Sequence, residues 1–158
     1  MLGIGAFMFL LLILSAFAAV QGVSIDRQHV VRAVETAEQQ TLTAATADPD
    51  LASGNAVLNA TLAASLFPQN LGQDLQSFGA SVTVNSVQVL TQAEVGAALP
   101  GNMPGTVAGP GLYVSVSFPI TILPFGNPGG GAYTLTETVQ VVTAANRFNQ
   151  PQVHWIPG

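Results

Sequence analysis

The chain has 158 residues, of which 49% are hydrophobic and only 7% are charged, and its net charge at pH 7 is −5. Ordinary soluble domains carry about 25% charged residues, so much of this surface must be covered by uncharged polar residues or hidden by neighbouring subunits or glycans. The three basic residues, Arg27, Arg32 and Arg147, form no basic patch, which argues against nucleic acid as a partner. The lack of cysteine excludes disulfides, thiol nucleophiles and cysteine metal sites.

The first predicted element is a long helix that runs from Met1 to about Ala47. Its first half, residues 1–23, contains no charged side chain. The large apolar residues surround the axis instead of forming a stripe, and such a helix must be buried on all sides. About 20 apolar residues at 1.5 Å each span the ~30 Å hydrocarbon layer of a membrane. We therefore predict a transmembrane or filament-core segment that packs through Leu2, Ile4, Phe7, Phe9, Leu10, Leu11, Ile13, Leu14, Phe17 and Val20.

The second half of this helix, residues 24–47, is predicted to be amphipathic. Charged residues and glutamines alternate there with valines, leucines and alanines at the three- and four-residue spacing of a half-buried helix. Pro49 then supplies a stop. Gly22 is predicted to be a weak point where the helix leaves its apolar half, because glycine costs about 1 kcal/mol in a helix interior. We expect residues 24–158 to form a single α+β head domain.

The residues in and next to the apolar segment indicate whether the domain that follows it is exported. The small residues from Ser15 to Ala19 could form a signal-peptide cleavage site, but the basic n-region of a signal peptide is missing. Arg27 and Arg32 lie on the C-terminal flank and would tend to hold the following domain in the cytoplasm. We therefore expect Met1 to be a mature N terminus left by removal of a basic leader, with a translated start as the alternative.

A second, short helix is predicted over residues 55–66. Asn55 can cap its N terminus, and Pro68 is expected to end it. Its apolar residues predict packing against the long helix, and residues 69–79 are expected to form a connector. Because Asn59 begins an Asn-Ala-Thr triplet, it is a possible N-glycosylation site.

Three strands are predicted near residues 81–90, 112–123 and 132–142, with loops rich in glycine and proline between them. Strands that follow one another through loops predict an antiparallel meander with one apolar face. The amphipathic half of the long helix is the expected cover of that face. The last stretch, residues 146–158, is predicted to be an irregular tail.

Two details of these strands follow from their side chains. The apolar phase of the first strand changes at Asn85 and Ser86, which predicts a bulge or a bend. In the second strand, alternate residues from Val114 to Ile122 are apolar and share one face. Pro119 has no N–H to donate to a ladder, so this strand is expected to be bulged or to lie at a sheet edge near that point.

No catalytic, cofactor or metal site is predicted, and we expect the chain not to be an enzyme. His29 and His154 lie on different elements, with no further ligand at a suitable spacing. Glu137 falls on the otherwise apolar face of the last strand. It either marks the point where that face ends or pairs with an arginine across an interface. The candidate arginines are Arg27, Arg32 and Arg147.

An apolar N-terminal helix that continues into an amphipathic half, followed by a small sheet, resembles type IV pilins and pseudopilins. More specifically, the arginine- and alanine-rich stretch from Arg27 to Ala45 and the strands 114–119 and 135–142 resemble the TadE-like family of pilus proteins. The resemblance implies a subunit whose helix lies in a filament core and whose sheet lies outside. One feature departs from it: type IV pilins usually carry a glutamate near the mature N terminus, whereas the first acid here is Asp26.

We therefore predict a structural subunit of an extracellular type IV-like or TadE-like pilus at the cell surface. The chain would form a helical homopolymer through its N-terminal helix. Before assembly it would lie in the inner membrane and would interact with the pilus assembly machinery, and its surface could carry glycans. The alternatives are a minor pseudopilin or membrane-anchored assembly factor that does not polymerise, and a membrane-tethered extracellular binding domain.

Overall fold

The computed structural model describes residues 2–46, 57–76, 81–122, 133–145 and 151–156. Within the first helix, the side chains are described at positions 7–11, 13, 14 and 26–45. The main elements in chain order are α1 (Leu2–Ala45), α2 (Ala60–Gln76), β1 (Thr83–Leu90), β2 (Gly111–Ile122), β3 (Tyr133–Ala144) and β4 (Gln152–Ile156). This order confirms the predicted combination of helices with an antiparallel sheet.

The strands form one sheet in the order β1-β2-β3-β4, and each neighbouring pair is antiparallel. The register of β1 on β2 shifts between Val84 and Ser86, which confirms the predicted bulge. Strand β1 reaches β2 only as far as Ser117, while β3 pairs with β2 along its whole length. Pro119 therefore lies on a stretch of β2 that has one open side, which is where sheets tolerate proline.

Both helices cover the same face of the sheet. Val34 and Ala37 of α1 and Phe67 of α2 are completely buried in one apolar cluster, which also contains the inward side chains of β2 and β3, such as Val116 and Val139. The buried positions of α1 begin at Val30 and recur every three or four residues, which is the spacing of a helix that buries one stripe. Among the residues whose side chains are described, no helix is both long enough and apolar enough to cross a membrane.

The opposite face of the sheet carries a second, smaller core. The loop between β1 and β2 folds over this face and buries Leu99, Met103 and Val107, which lie in a stretch interrupted by glycines and prolines. The buried members of this core are Leu90, Leu99, Met103, Val107, Tyr113 and Val142. The sequence predicted one apolar face, and this second core was missed because the glycines and prolines of this stretch indicate a loop, and loops normally lie on the surface.

The second helix was predicted over residues 55–66 and is found at Ala60–Gln76. Its N-cap is Asn59, whose Oδ1 accepts a hydrogen bond from the Leu62 N–H at 3.0 Å, whereas Asn55 lies outside the described residues. The helix continues past Pro68, so the prediction that this residue ends it is wrong. Proline removes one backbone hydrogen bond, but the large buried side chains on both sides of it outweigh that loss at ~1.5–3 kcal/mol each. These are Phe67, Leu71 and Leu75, and Ala63 is buried as well.

The prediction of an irregular tail is also wrong, because residues 152–156 form the edge strand β4. Trp155 lies opposite Val139 of β3, and Val153 lies opposite Val141, so both face the same side of the sheet as the helices. The strand has only five residues and lies between two prolines in the sequence. Short strands with flanking prolines are common at sheet edges, and their alternation is too brief to be recognised.

Candidate assembly surface

The N-terminal part of α1 carries large apolar side chains that nothing in the described part of the chain covers. Phe9 is 66% exposed, Phe7 is 62% exposed and Leu14 is 56% exposed. Met8, Leu10, Leu11 and Ile13 are exposed as well. These positions lie on every side of the helix, because successive residues are about 100° apart. An exposed apolar surface of this kind marks a contact with another molecule or with lipid.

Six of the residues predicted to pack in a filament core belong to this exposed set. They are Phe7, Phe9, Leu10, Leu11, Ile13 and Leu14. For the other predicted packing residues and the predicted weak point, the side chains lie outside the described set. These are Leu2, Ile4, Phe17, Val20 and Gly22.

An ion pair fixes α1 to the sheet near the start of its buried part. The Arg27 Nε donates to Glu137 Oε2 at 2.6 Å, and Nη2 donates to Oε1. The Glu137 side chain is only 10% exposed, while that of Arg27 is 45% exposed. The hydrogen bond to this carboxylate raises the pKa of Arg27 above its ordinary value. Of the two interpretations of Glu137, the structure supports the arginine partner, and it identifies this partner as Arg27 of the same chain.

Two aromatic rings complete this contact. The Arg27 guanidinium lies 5.3 Å from the centroid of the Trp155 ring, a distance at which a cation is attracted to the ring face. Trp155 in turn meets Phe118 of β2 edge to face, with their centroids 5.8 Å apart and their planes at 73°. Residues from α1, β2, β3 and β4 therefore meet at one point. The sequence did not indicate Trp155, since it lay in the predicted tail.

A buried acid lies farther along α1. Glu38 is completely buried between α1 and β3. Its Oε2 accepts a hydrogen bond from the Thr143 hydroxyl, while its Oε1 has no hydrogen-bond partner in the described part of the chain. Burial raises the pKa of Glu38 well above its ordinary value, the bond from Thr143 lowers it, and the charge of Glu35 raises it further. The carboxyl group therefore keeps its proton to a higher pH than an exposed glutamate does.

An open groove of about 340 Å³ runs between α1 and β4, and we call it the α1–β4 groove. It begins at the Arg27 contact and extends toward the C-terminal end of α1. Its lining residues are Arg27, Gln28, Val31, Arg32, Glu35, Val153 and Trp155. The charged side chains of the groove therefore all belong to α1. Its large apolar side chains come from both elements, with Val31 on α1 and Val153 and Trp155 on β4.

The remaining candidate residues lie apart from one another. His29 is exposed on α1, and His154 is half-buried on β4 opposite Gln140. Within the described ranges, no group of three His, Asp or Glu side chains could hold a metal ion. Asn59 is exposed at the start of α2, where its carbonyl oxygen caps the helix. Glycosylation of Asn59 stays a prediction.

Comparisons of the chain with known protein families, with curated proteins and with solved structures found no match.

Proposed function

We propose that this chain is a structural subunit of an extracellular filament of the type IV-like or TadE-like kind, and that it polymerises through its N-terminal helix. In this proposal the apolar part of α1 is held in the inner membrane before assembly. It then packs among the same segments of other copies at the filament axis. The sheet and α2 would form the outer layer. The observation that carries the proposal is the exposure of large apolar side chains on every side of α1 between Phe7 and Leu14.

The exposed apolar surface of α1 supplies a driving force for association. Each large apolar side chain that leaves water contributes ~1.5–3 kcal/mol, so the seven exposed side chains of this stretch favour burial in lipid or against other copies of the helix. The head supplies no such shelter, because its described buried residues on α1 begin only at Val30. Lipid already shelters apolar groups before assembly, so close packing must favour the filament over the bilayer. Small residues such as Gly3, Gly5 and Ala6 permit that close approach.

The attachment of the helix to the head also supports the proposal. A filament transmits force from one copy to the next only if the core segment is firmly joined to the outer domain. Arg27 is held by two hydrogen bonds to Glu137 and lies over Trp155, and the apolar stripe that begins at Val30 is buried in the head. Head-to-tail contacts that do not close into a ring then give a filament of repeated copies.

Electron microscopy of filaments sheared from cells tests the proposal, provided that mass spectrometry identifies the subunit. We expect this chain to be the repeating unit. Because the chain contains no cysteine, single cysteines placed at Phe7, Leu10 or Leu14 report burial between copies without a competing thiol. We expect all three to be protected from a water-soluble maleimide in intact filaments, and Val95→Cys, which lies on an exposed loop of the head, to react.

Two results would contradict the proposal. One is a chain that remains a stable monomer in detergent while the cells carry no filament that contains it. The other is a filament in which the three cysteines react with the maleimide as fast as Val95→Cys does. The first result would favour a membrane-tethered binding domain, and the second would favour a filament built through the heads.

A further inference from the structure

The α1–β4 groove carries two opposite charges that form no ion pair within the described ranges of the chain. Arg27 is already bound by Glu137 at one end of the groove. Arg32 and Glu35 also line it, and in the described part of the chain neither of them forms an ion pair. They are three residues apart on α1, which separates them by about 4.5 Å along the helix axis. The groove therefore presents a cation and an anion within a single helical turn, and neither is in an ion pair with another residue that the structure describes.

The groove also has an apolar surface beside these charges. Val31 is half-buried on α1, Val153 is 37% exposed on β4, and Trp155 is half-buried next to it. One face of the Trp155 ring is occupied by the Arg27 guanidinium. A ligand that matches the groove therefore combines a small zwitterionic group with an apolar chain.

The position of the groove indicates where such a ligand would be met. The first charged residue of the chain is Asp26, which follows 25 uncharged residues. A helix of that length extends about 37 Å, against ~30 Å for the hydrocarbon layer. When the apolar segment is in a bilayer, as our proposed function requires before assembly, the Arg27 end of the groove lies at the layer of lipid headgroups. Arg32 lies about 7.5 Å farther along the helix, but helical side chains lean back toward the N terminus, so its long side chain reaches that layer. Tryptophan is enriched at that level of membrane proteins.

We propose that the α1–β4 groove binds the headgroup of phosphatidylethanolamine in the membrane-held state. The Arg32 guanidinium donates hydrogen bonds to the lipid phosphate, and the Glu35 carboxylate accepts hydrogen bonds from the ammonium group. The glycerol and the upper acyl chain contact Val31, Val153 and the free edge of Trp155. The phosphate and the ammonium of ethanolamine are only a few bonds apart, which suits two side chains that are one helical turn apart.

The same geometry discriminates against two other common lipids. Phosphatidylcholine has the same charges, but its quaternary ammonium has no N–H to donate to Glu35. An aromatic cage could compensate for that loss, but the single tryptophan of the chain already faces Arg27. Phosphatidylglycerol has no cation, so its phosphate would leave the Glu35 carboxylate unpaired.

Native mass spectrometry of the full chain, released from detergent micelles that contain one added phospholipid, tests this inference. We expect one phosphatidylethanolamine to be retained, with an affinity about three- to tenfold higher than that for phosphatidylcholine or phosphatidylglycerol, because a charge-assisted hydrogen bond is gained. Equal retention of the three lipids would overturn the inference.

Two variants separate a site from a general charge effect. Arg32→Gln makes the net charge more negative and Glu35→Gln makes it less negative, so non-specific attraction to an anionic lipid would shift in opposite directions. A zwitterion site predicts that both variants lose phosphatidylethanolamine selectivity. Glu94→Gln, which removes the same charge on a turn of the head, is the matched control and should retain it. Selectivity that survives both groove variants would overturn the inference.

The inference rests on the membrane-held state of the proposed function, but the two can fail separately. Both groove side chains are at least partly exposed, so the variants are expected to fold, and far-ultraviolet circular dichroism checks this. Filaments that contain the chain without lipid selectivity would refute the groove site alone. Lipid selectivity without filaments would refute polymerisation and leave the groove site standing.

Discussion

Arg27 and Glu137 are 110 positions apart in the sequence, and they join the first helix to the third strand through two hydrogen bonds. The carboxylate is nearly buried, while the guanidinium is about half exposed. Breaking the pair therefore has different consequences for the two groups. Without Arg27, the Glu137 carboxylate would be a nearly buried charge with little access to water, whereas the Arg27 guanidinium without Glu137 would be hydrated.

This asymmetry gives the first prediction. Arg27→Gln leaves a buried carboxylate with weaker partners, and we expect the free energy of unfolding to fall by about 2 kcal/mol. Glu137→Gln leaves an arginine that solvent can reach, and we expect a loss of about 1 kcal/mol or less. Urea unfolding of the full chain in detergent, followed by circular dichroism, measures both values.

Arg32→Gln is the control for this comparison, because the Arg32 guanidinium has no ion-pair partner among the described residues. Its effect should stay within about 0.5 kcal/mol. If Arg27→Gln and Arg32→Gln had the same effect, the contact with Glu137 would contribute nothing to stability. The double variant Arg27→Gln with Glu137→Gln should then give the coupling between the two groups.

The sequence indicated those parts of the fold that repeat with a regular period. The alternation of β2 predicted its inward face, the phase change at Ser86 predicted a bulge or a bend, and Pro119 predicted a bulge or a sheet edge. The structure confirms the inward face, has the bulge at the first position, and leaves one side of β2 open at the second. Periodicity did not predict the elements that are short or that contain a proline. Strand β4 has too few residues to show alternation, and Pro68 looked like a helix end because its cost is local while the compensating burial is tertiary.

The contacts at the base of the helix were less predictable, because they depend on pairing between distant segments. The position of Glu137 on an apolar face indicated an unusual environment, but three arginines were equally suitable as partners. Glu38 gave no signal at all, since one acid among the polar residues of an amphipathic helix normally faces water. Only the packing of α1 on β3 reveals that it is buried against Thr143.

The second prediction concerns the pH dependence that this buried acid confers. The folded-state pKa of Glu38 is raised above its ordinary value of 4.5. Below that value the acid is protonated in both states, so nothing is lost. Above it, the unfolded chain releases the proton while the folded chain retains it, so the stability of the folded state falls as pH rises. The loss is about 1.4 kcal/mol per pH unit until the folded-state pKa is reached.

Glu38→Gln keeps the shape of the side chain and its bond to Thr143 but cannot ionise. We expect the variant to become progressively more stable than the parent as pH rises from 4.5, when unfolding midpoints are measured over that range. Glu94→Gln is a control of opposite sign. The pKa of Glu94 is lowered, first by the hydrogen bond from the Thr91 backbone N–H at 2.7 Å and then by that from its hydroxyl, so its contribution is lost as pH falls. Parallel curves for Glu38→Gln and the parent would show that the acid is not buried.

The third prediction contrasts two glycines. A Cβ at Gly72, in the interior of α2, would meet nothing within 4 Å, so Gly72→Ala should raise the free energy of unfolding by about 0.5–1 kcal/mol. Gly101 has a φ of 64° and lies against the Tyr113 hydroxyl and the Gln140 amide. Gly101→Ala should therefore lower stability by at least about 1 kcal/mol through strain and displacement of Tyr113. Thermal unfolding compares them, and a stabilised Gly101→Ala variant would contradict the packing of this loop.

The last prediction places a charge on the exposed helix. Leu10 is 55% exposed on α1, so Leu10→Asp removes no contact within the described head and should leave its unfolding midpoint unchanged. In a filament, every copy would bring this carboxylate into the axis, where an unpaired charge costs several kcal/mol. One acid costs only ~2.5–3.5 kcal/mol in membrane insertion, which about 20 apolar residues can offset. We therefore expect normal amounts of membrane-held chain but no filaments in electron micrographs, and normal filaments with the head-loop control Val95→Asp. Filaments of normal length and number from Leu10→Asp would mean that this segment lies outside the core and that the heads alone hold the polymer together.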